Sequence, residues 1–123
     1  MTTTTPLGRP LSRGDVVLVL FPHADLRSAK PRPAVIVQAD HLDTGLPQAV
    51  VAMITGRMFR AGHPSRVAVL KDSAVGRDSG LLSSSVVMTD NLATISEAAI
   101  DRVIGHLAMD AIDVALRATL ALG

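Results

Sequence analysis

Asp15-Val16-Val17-Leu18-Val19-Leu20-Phe21, closed by Pro22, is the stretch that decides the fold. A continuous run of β-branched, aliphatic and aromatic side chains ended by proline describes a strand buried on both faces. Moving outward, runs of the same kind recur. Pro33 opens Ala34–Val37, Ala49–Ile54 makes a third, Arg66–Leu70 alternates as a fourth, and Ser84–Met88 is a fifth. Pro, Gly, Asp or Ser separates each run from the next. Connections this brief hold no crossover helices, which predicts a mostly antiparallel, strongly curved sheet or small barrel.

The period changes in the last third. Thr94 and Glu97 have the spacing of a capping box. Ile100, Val103, Ile104 and Leu107 then recur at i, i+3, i+4 and i+7, which predicts a helix with one apolar face. His106 falls near the end of that helix, where a dipole contact is its expected role. Asp110 caps a second helix carrying an apolar stripe of Ile112, Ala115, Leu116, Thr119 and Leu120. The expected class is therefore α+β, a small antiparallel barrel with C-terminal helices. Met1–Ser12 shows no core-forming pattern and reads as a flexible arm, leaving residues 13–123 as a single domain.

With 123 residues, 48% of them hydrophobic and 19% charged, the chain suits one folded domain and excludes disorder as its main state. It has no cysteine, which excludes disulfide scaffolds, cysteine–zinc sites and thiol nucleophiles. The mean hydropathy of +0.37 raises the question of a membrane span. The Val16–Pro22 run is far below the roughly 18 residues a span needs, and Asp101, Arg102, Asp110, Asp113 and Arg117 interrupt the C-terminal stretch. The N-terminus has no apolar signal core, so the expectation is a soluble, cytoplasmic protein.

Net charge is +1, which excludes a nonspecific polycationic coat. The charge is nevertheless uneven. Between His23 and Arg66 lie Arg27, Lys30, Arg32, Arg57, Arg60 and Arg66 against Asp25, Asp40 and Asp43. From Val67 onward acids outnumber bases. An anionic ligand is drawn to the early loops if the fold keeps them together.

Several residues could carry chemistry. Lys30-Pro31-Arg32-Pro33 precedes a strand, and the two prolines stiffen the backbone around Arg32. Its guanidinium is either a bidentate partner for phosphate or carboxylate, or a surface arginine beside an edge-strand proline. Thr55, at the end of the third run and followed by Gly56, either donates to a ligand oxygen or bonds the turn backbone. His23 is the one histidine candidate for proton transfer. Asp90, expected at the end of the fifth strand, either orients a base or sugar hydroxyl or closes an Asx-turn. Asp40-His41-x-Asp43 and His23-x-Asp25 lack strong metal-ligand spacing, so no metal and no cofactor are expected. There is no phosphate-cradling Gly-Lys loop, nucleophile elbow or dinucleotide fingerprint. With no Trp or Tyr and only Phe21 and Phe59, nucleic acid would be read by hydrogen bonds, arginine planes and shape.

Taken in order, Arg13-Gly14-Asp15-Val16-Val17, Lys30-x-Arg32-Pro33-Ala34-Val35-Ile36-Val37, Ile54-Thr55, Gly80-Leu81-Leu82-x-x-Ser85-Val86-Val87 and Ile104-Gly105-x-Leu107 resemble the MazF/PemK family of toxins. The match runs from about Arg13 to Leu122. The resemblance implies an SH3-like barrel acting as a homodimer. It also implies a metal-independent endoribonuclease cutting single-stranded RNA, such as mRNA, at short sequences and held inactive by a cognate MazE-like antitoxin. It places the catalytic arginine at Arg32 and the catalytic hydroxyl at Thr55, with Asp90 matching an acid of the PemK branch. Two positions depart from the family pattern: Met88 where that branch carries arginine, and Gly56 where relatives carry a side chain. Arg27, Lys30, Arg57, Arg60 and Arg66 are the expected RNA-binding residues. Specificity is expected in the segment from Thr55 to Arg66 and the loop Lys71–Gly80. The alternative is a toxin of the same fold that binds a protein target such as gyrase without catalysis. A third, metal-dependent reading would use Asp40, His41 and Asp43.

Overall fold

The computed structural model describes residues 9–22 and 29–123. Among the described residues six strands form one antiparallel sheet: β1 (Asp15–Pro22), β2 (Ala29–Ile36), β3 (Gln48–Thr55), β4 (Arg66–Val69), β5 (Ser85–Ser96) and β6 (Ile100–His106). Their order is β4-β5-β3-β2-β1-β6, so the sheet curls as in an SH3-like barrel and stays open between β4 and β6. Helix α1 (Ala74–Ser79) joins β4 to β5, and α2 (Asp110–Leu120) ends the chain. No helix of the described residues is long and apolar enough to cross a membrane.

β1 is buried on both faces, as its apolar run requires. Val16 packs into a cluster with Val35, Ala52, Ile54, Val87 and the α2 residues Ile112 and Leu116. Val17 and Val19 point the other way, into a cluster with Ala34, Ile36, Val51, Ile95 and Ile100. Strand alternation assigns neighbouring residues to opposite faces. α2 covers the first face, while curling of the sheet encloses the second cluster with no helix in it. Of the expected stripe on α2, Ile112, Ala115 and Leu116 are buried, Thr119 is half-buried and Leu120 is exposed. The helix is preceded by Met109 as N-cap, so Asp110 is its first residue and makes no side-chain cap bond.

The helix expected after Thr94 is instead strand. β5 continues to Ser96, one 3-10 turn spans Glu97–Ala99 with the Ser96 hydroxyl accepting from the Ala98 N–H, and β6 follows. The misleading spacing has a physical cause. β6 pairs with β1 through Ile100–Val19, Arg102–Leu18, Val103–Val17 and Gly105–Val16, with two register shifts. Those bulges break the two-residue period. Ile100 and Val103 reach the second cluster while Ile104 and Leu107 reach the first, a sequence that reads as i, i+3, i+4, i+7. His106 accordingly ends a strand, with Nδ1 3.5 Å from Oδ1 of the buried Asp15.

Residues 1–8 of the expected N-terminal arm lie outside the described residues. The remainder is tied to β1: Leu11 packs on the second cluster, and the Ser12 N–H and Arg9 guanidinium donate to the Asp15 carboxylate.

Candidate active site

The site begins where β2 and β3 separate. They pair as Ile36–Val51, Val35–Ala52 and Ala34–Met53, and there the ladder stops. The backbone of Ile36 faces β1, where its carbonyl accepts from the Gly14 N–H, and that of Val37 faces β3, donating to Val50. By alternation Pro33 and Pro31 turn their nitrogens toward β3 and have no hydrogen to donate. The ladder therefore ends at the first proline. Carried two steps further, the register sets Arg32 opposite Thr55 across the resulting wedge. Arg32 remains paired with Val19 of β1 and Thr55 with Val86 of β5, so both walls of the wedge stay anchored.

Arg32 and Thr55 line one cleft of about 690 Å³, together with Lys30, Arg57, Arg60 and Arg102. Among the described residues no carboxylate lines the cleft, although Arg102 lies 3.9 Å from the Asp101 carboxylate outside it. Lys30, Arg32 and Arg57 are exposed and make no salt bridge among the described residues. The Thr55 hydroxyl oxygen accepts from the Arg57 N–H at 3.2 Å. That bond is the turn contact expected of a strand-end threonine, and it leaves the hydroxyl hydrogen available to donate to a ligand.

The opposite wall is Gly80–Ser83. It reaches the cleft because α1 lies directly on β6. A Cβ on Gly105 would sit 2.3 Å from the Ser79 carbonyl carbon, and one on Gly80 (φ +73°) would sit 1.9 Å from the Ile104 oxygen. No other residue permits that approach. α1, inside the segment expected to be a loop, is capped by Ser73, whose hydroxyl accepts from Gly76 N–H.

The structure separates Asp90 and Arg66 from this group. Asp90 does not end β5. The β3–β5 pairing jumps from Met53–Met88 to Ala52–Leu92, so Thr89, Asp90 and Asn91 form a bulge. The bulge is held by Thr89, which donates through its N–H and hydroxyl to the Ser65 carbonyl and bonds the Thr119 hydroxyl at 2.7 Å. Arg66 donates to both Asp90 oxygens. That hydrogen bond holds the Asp90 carboxyl below its ordinary range and raises Arg66. Neither residue lines the cleft. His23 and Arg27 lie outside the described residues. Met88 is buried at the cleft wall, with Arg60 Nη1 3.4 Å from its sulfur.

Arg102, Asn91 and Ser83 also line the cleft and were not anticipated. Arg102 arrives through its pairing with Leu18, which itself pairs with Pro33. That juxtaposition depends on sequence-distant strands. Arg13-Gly14-Asp15 proves to be scaffold. Arg13 donates to the Val37 carbonyl and pairs with Asp113 of α2, and Gly14 bridges Ile36 and Leu107. Of the weak metal pattern, Asp40 accepts from the Arg13 N–H, and no metal-holding cluster exists among the described residues.

Comparison with known proteins agrees with this architecture. Residues 12–121 match the model of the PemK-like, MazF-like toxins of type II toxin–antitoxin systems. The chain is 30% identical over 116 residues to "Endoribonuclease EndoA" of Bacillus subtilis (strain 168), covering 91% of this chain and 96% of that protein. The Mycobacterium tuberculosis toxin MazF-mt6 superposes with a TM-score of 0.67 at 26% identity, over 89% of this chain and 98% of that one. A mycobacterial endoribonuclease solved with its cognate antitoxin shares the fold with a TM-score of 0.71 at 20% identity, over 93% and 98% of the two chains. The family match across nearly the whole domain, together with the EndoA relationship, shows that the chain belongs to the MazF/PemK toxin endoribonuclease family of type II toxin–antitoxin systems.

Proposed function

We propose that this chain is a metal-independent endoribonuclease that cleaves single-stranded RNA at short sequences through the RNA's own 2′-hydroxyl. The observation that carries the reading is the cleft itself: Arg32 and Thr55 line it together with four further cations and, among the described residues, no carboxylate. Such a surface suits a polyanion.

In the reaction the 2′-oxygen attacks the adjacent phosphorus while the bond to the 5′-oxygen breaks, leaving a 2′,3′-cyclic phosphate and a 5′-hydroxyl. Arg32 supplies a positive fork where phosphorane charge develops, a contribution typically worth about 3–4 kcal/mol. Thr55 donates its hydroxyl hydrogen to a phosphate oxygen, its own oxygen being fixed by Arg57. Arg32 is not assigned as the base, because a guanidinium offers donors and no acceptor. Asp90 is not assigned as the acid, since its paired carboxyl is held ionised outside the cleft lining. The reading rests on alignment and charge, with water taking the 2′ proton and protonating the 5′-oxygen; His23, the other candidate for proton transfer, lies outside the described residues.

Lys30, Arg57, Arg60 and Arg102 hold flanking phosphates. A cognate antitoxin inhibits by laying an acidic, extended segment in the same cleft. That the partner is an antitoxin is in keeping with solved proteins of the same fold titled MazE-MazF from Deinococcus radiodurans. The protein acts as a homodimer, which would cover exposed apolar surface such as Leu42, Leu120 and Leu122.

The test is incubation of purified protein with a structured transcript in EDTA. Fixed cut sites support the reading. Cleavage abolished by EDTA contradicts metal independence, and an intact transcript with or without metal favours a toxin that binds a protein target.

A further inference from the structure

Phe59 lies on the one-turn 3-10 helix Met58–Arg60, between the cleft-lining residues Arg57 and Arg60. Phe59 is 79% exposed. The turn beneath it is firmly held. Arg60 N–H donates to the Arg57 carbonyl, Ala61 N–H to the Met58 carbonyl, and Arg66 donates to the Arg60 carbonyl while gripping Asp90. Arg60 in turn places its guanidinium 5.9 Å from the ring centroid, over the ring. An apolar ring is thus kept in water by a rigid turn, beside a cationic groove, with a cation against it. Burial in the core does not explain it.

Resting on the nuclease reading above, we propose that Phe59 is a base-stacking platform for the RNA strand as it leaves the cleft. Arg57 and Arg60 take the flanking phosphates, and the ring accepts an unpaired base on its face. Base–aromatic stacking tolerates any base and fits a single strand, whose bases are free to splay. The contact is remote from the scissile phosphate, so it contributes to binding and to which flanking nucleotides are preferred, while the cleavage step remains with Arg32 and Thr55.

The chain has no Trp or Tyr, so Phe59→Trp creates a sole indole reporter. The probe is a single-stranded RNA oligonucleotide containing a cleaved site, made uncleavable by a 2′-deoxy substitution there, with binding followed independently by anisotropy of an end label. The indole fluorescence is expected to be quenched as the oligonucleotide saturates. Phe59→Ala is expected to bind about tenfold more weakly, with KM raised and kcat little changed. Phe59→Tyr should restore affinity, and Phe59→Leu, apolar but without a π face, should not. Unchanged indole emission at saturation overturns the proposal, as does wild-type affinity in Phe59→Ala. Loss of a protein partner's binding with oligonucleotide affinity intact overturns it too. Failure of the wild-type protein to bind or cleave RNA would instead remove the nuclease reading on which it rests.

Discussion

Pro33 follows the last β2–β3 pair, Ala34–Met53, and has no N–H with which to continue the ladder toward Ile54. Arg32 and Thr55 come next, one on each side of the opening. The backbone chemistry that ends a sheet ladder therefore also makes the cleft in which phosphate chemistry is proposed.

Arg32 is exposed and carries no ion pair among the described residues, so its removal should affect catalysis and not folding. Arg32→Ala is expected to lower kcat about 10²–10³-fold and to change unfolding free energy by no more than about 0.5 kcal/mol. Arg32→Lys should recover only part of the activity, because an ammonium lacks the planar fork. Single-turnover cleavage and urea denaturation check the two halves.

Thr55 can be tested by near-isosteric change. Thr55→Ser keeps the hydroxyl and should retain most activity. Thr55→Val removes both the donor and the acceptor for the Arg57 N–H, with an expected loss of about 10–100-fold from a hydrogen bond to a charged group. Equal rates for the two variants would remove Thr55 from the chemistry.

Gly105 supports the far wall of the cleft. In Gly105→Ala the new methyl would meet the backbone of Asp78 and Ser79, which cannot yield as a flexible side chain does. A loss of about 1–3 kcal/mol is expected, with α1 displaced and cleavage impaired. Thermal denaturation and an activity assay on the same preparation read both effects.

Asp113 and Asp90 are held below the ordinary carboxylate range, in each case first by an arginine hydrogen bond, from Arg13 and Arg66 respectively. A depressed folded pKa gives stabilisation that is complete above the unfolded value, about 3.9, and is lost as pH falls through the folded value. Stability should therefore decline on acidification below about pH 4. Asp113→Asn should flatten that decline and lower stability at pH 7 by no more than about 1 kcal/mol. Urea unfolding from pH 2 to 7 measures the slope, and an unchanged slope would contradict the Asp113 contribution.

β1 and the β2 edge were legible because their signals are local: a continuous apolar run in one, prolines around Arg32 in the other. β6 was not, because the bulges that put Ile100 and Val103, three residues apart, into one cluster come from its pairing with β1. Asp90 was misplaced for a related reason. Its bulge is fixed by Ser65 and Thr119, residues 24 and 30 positions from Thr89. The cleft followed the same pattern. Lys30, Arg32, Thr55, Arg57 and Arg60, from two short segments that the sequence singles out, line one cleft. Arg102 depends on the row Arg102–Leu18–Pro33 across three strands, and Arg66 looked available until its register beside the β5 bulge gave it Asp90. The close approach of Gly80 and Gly105 likewise left no local mark to distinguish them from turn glycines.

The most direct measurement compares two RNA oligonucleotides of one cleaved sequence, identical except for a single 2′-deoxy nucleotide at the cut position, both incubated with the protein in EDTA. The all-ribose strand should be cut to a 2′,3′-cyclic phosphate and a 5′-hydroxyl, and the deoxy-substituted strand should be bound but remain whole at that position. Cleavage of the deoxy-substituted strand at the same phosphate would contradict attack by the 2′-hydroxyl in the Arg32–Thr55 cleft.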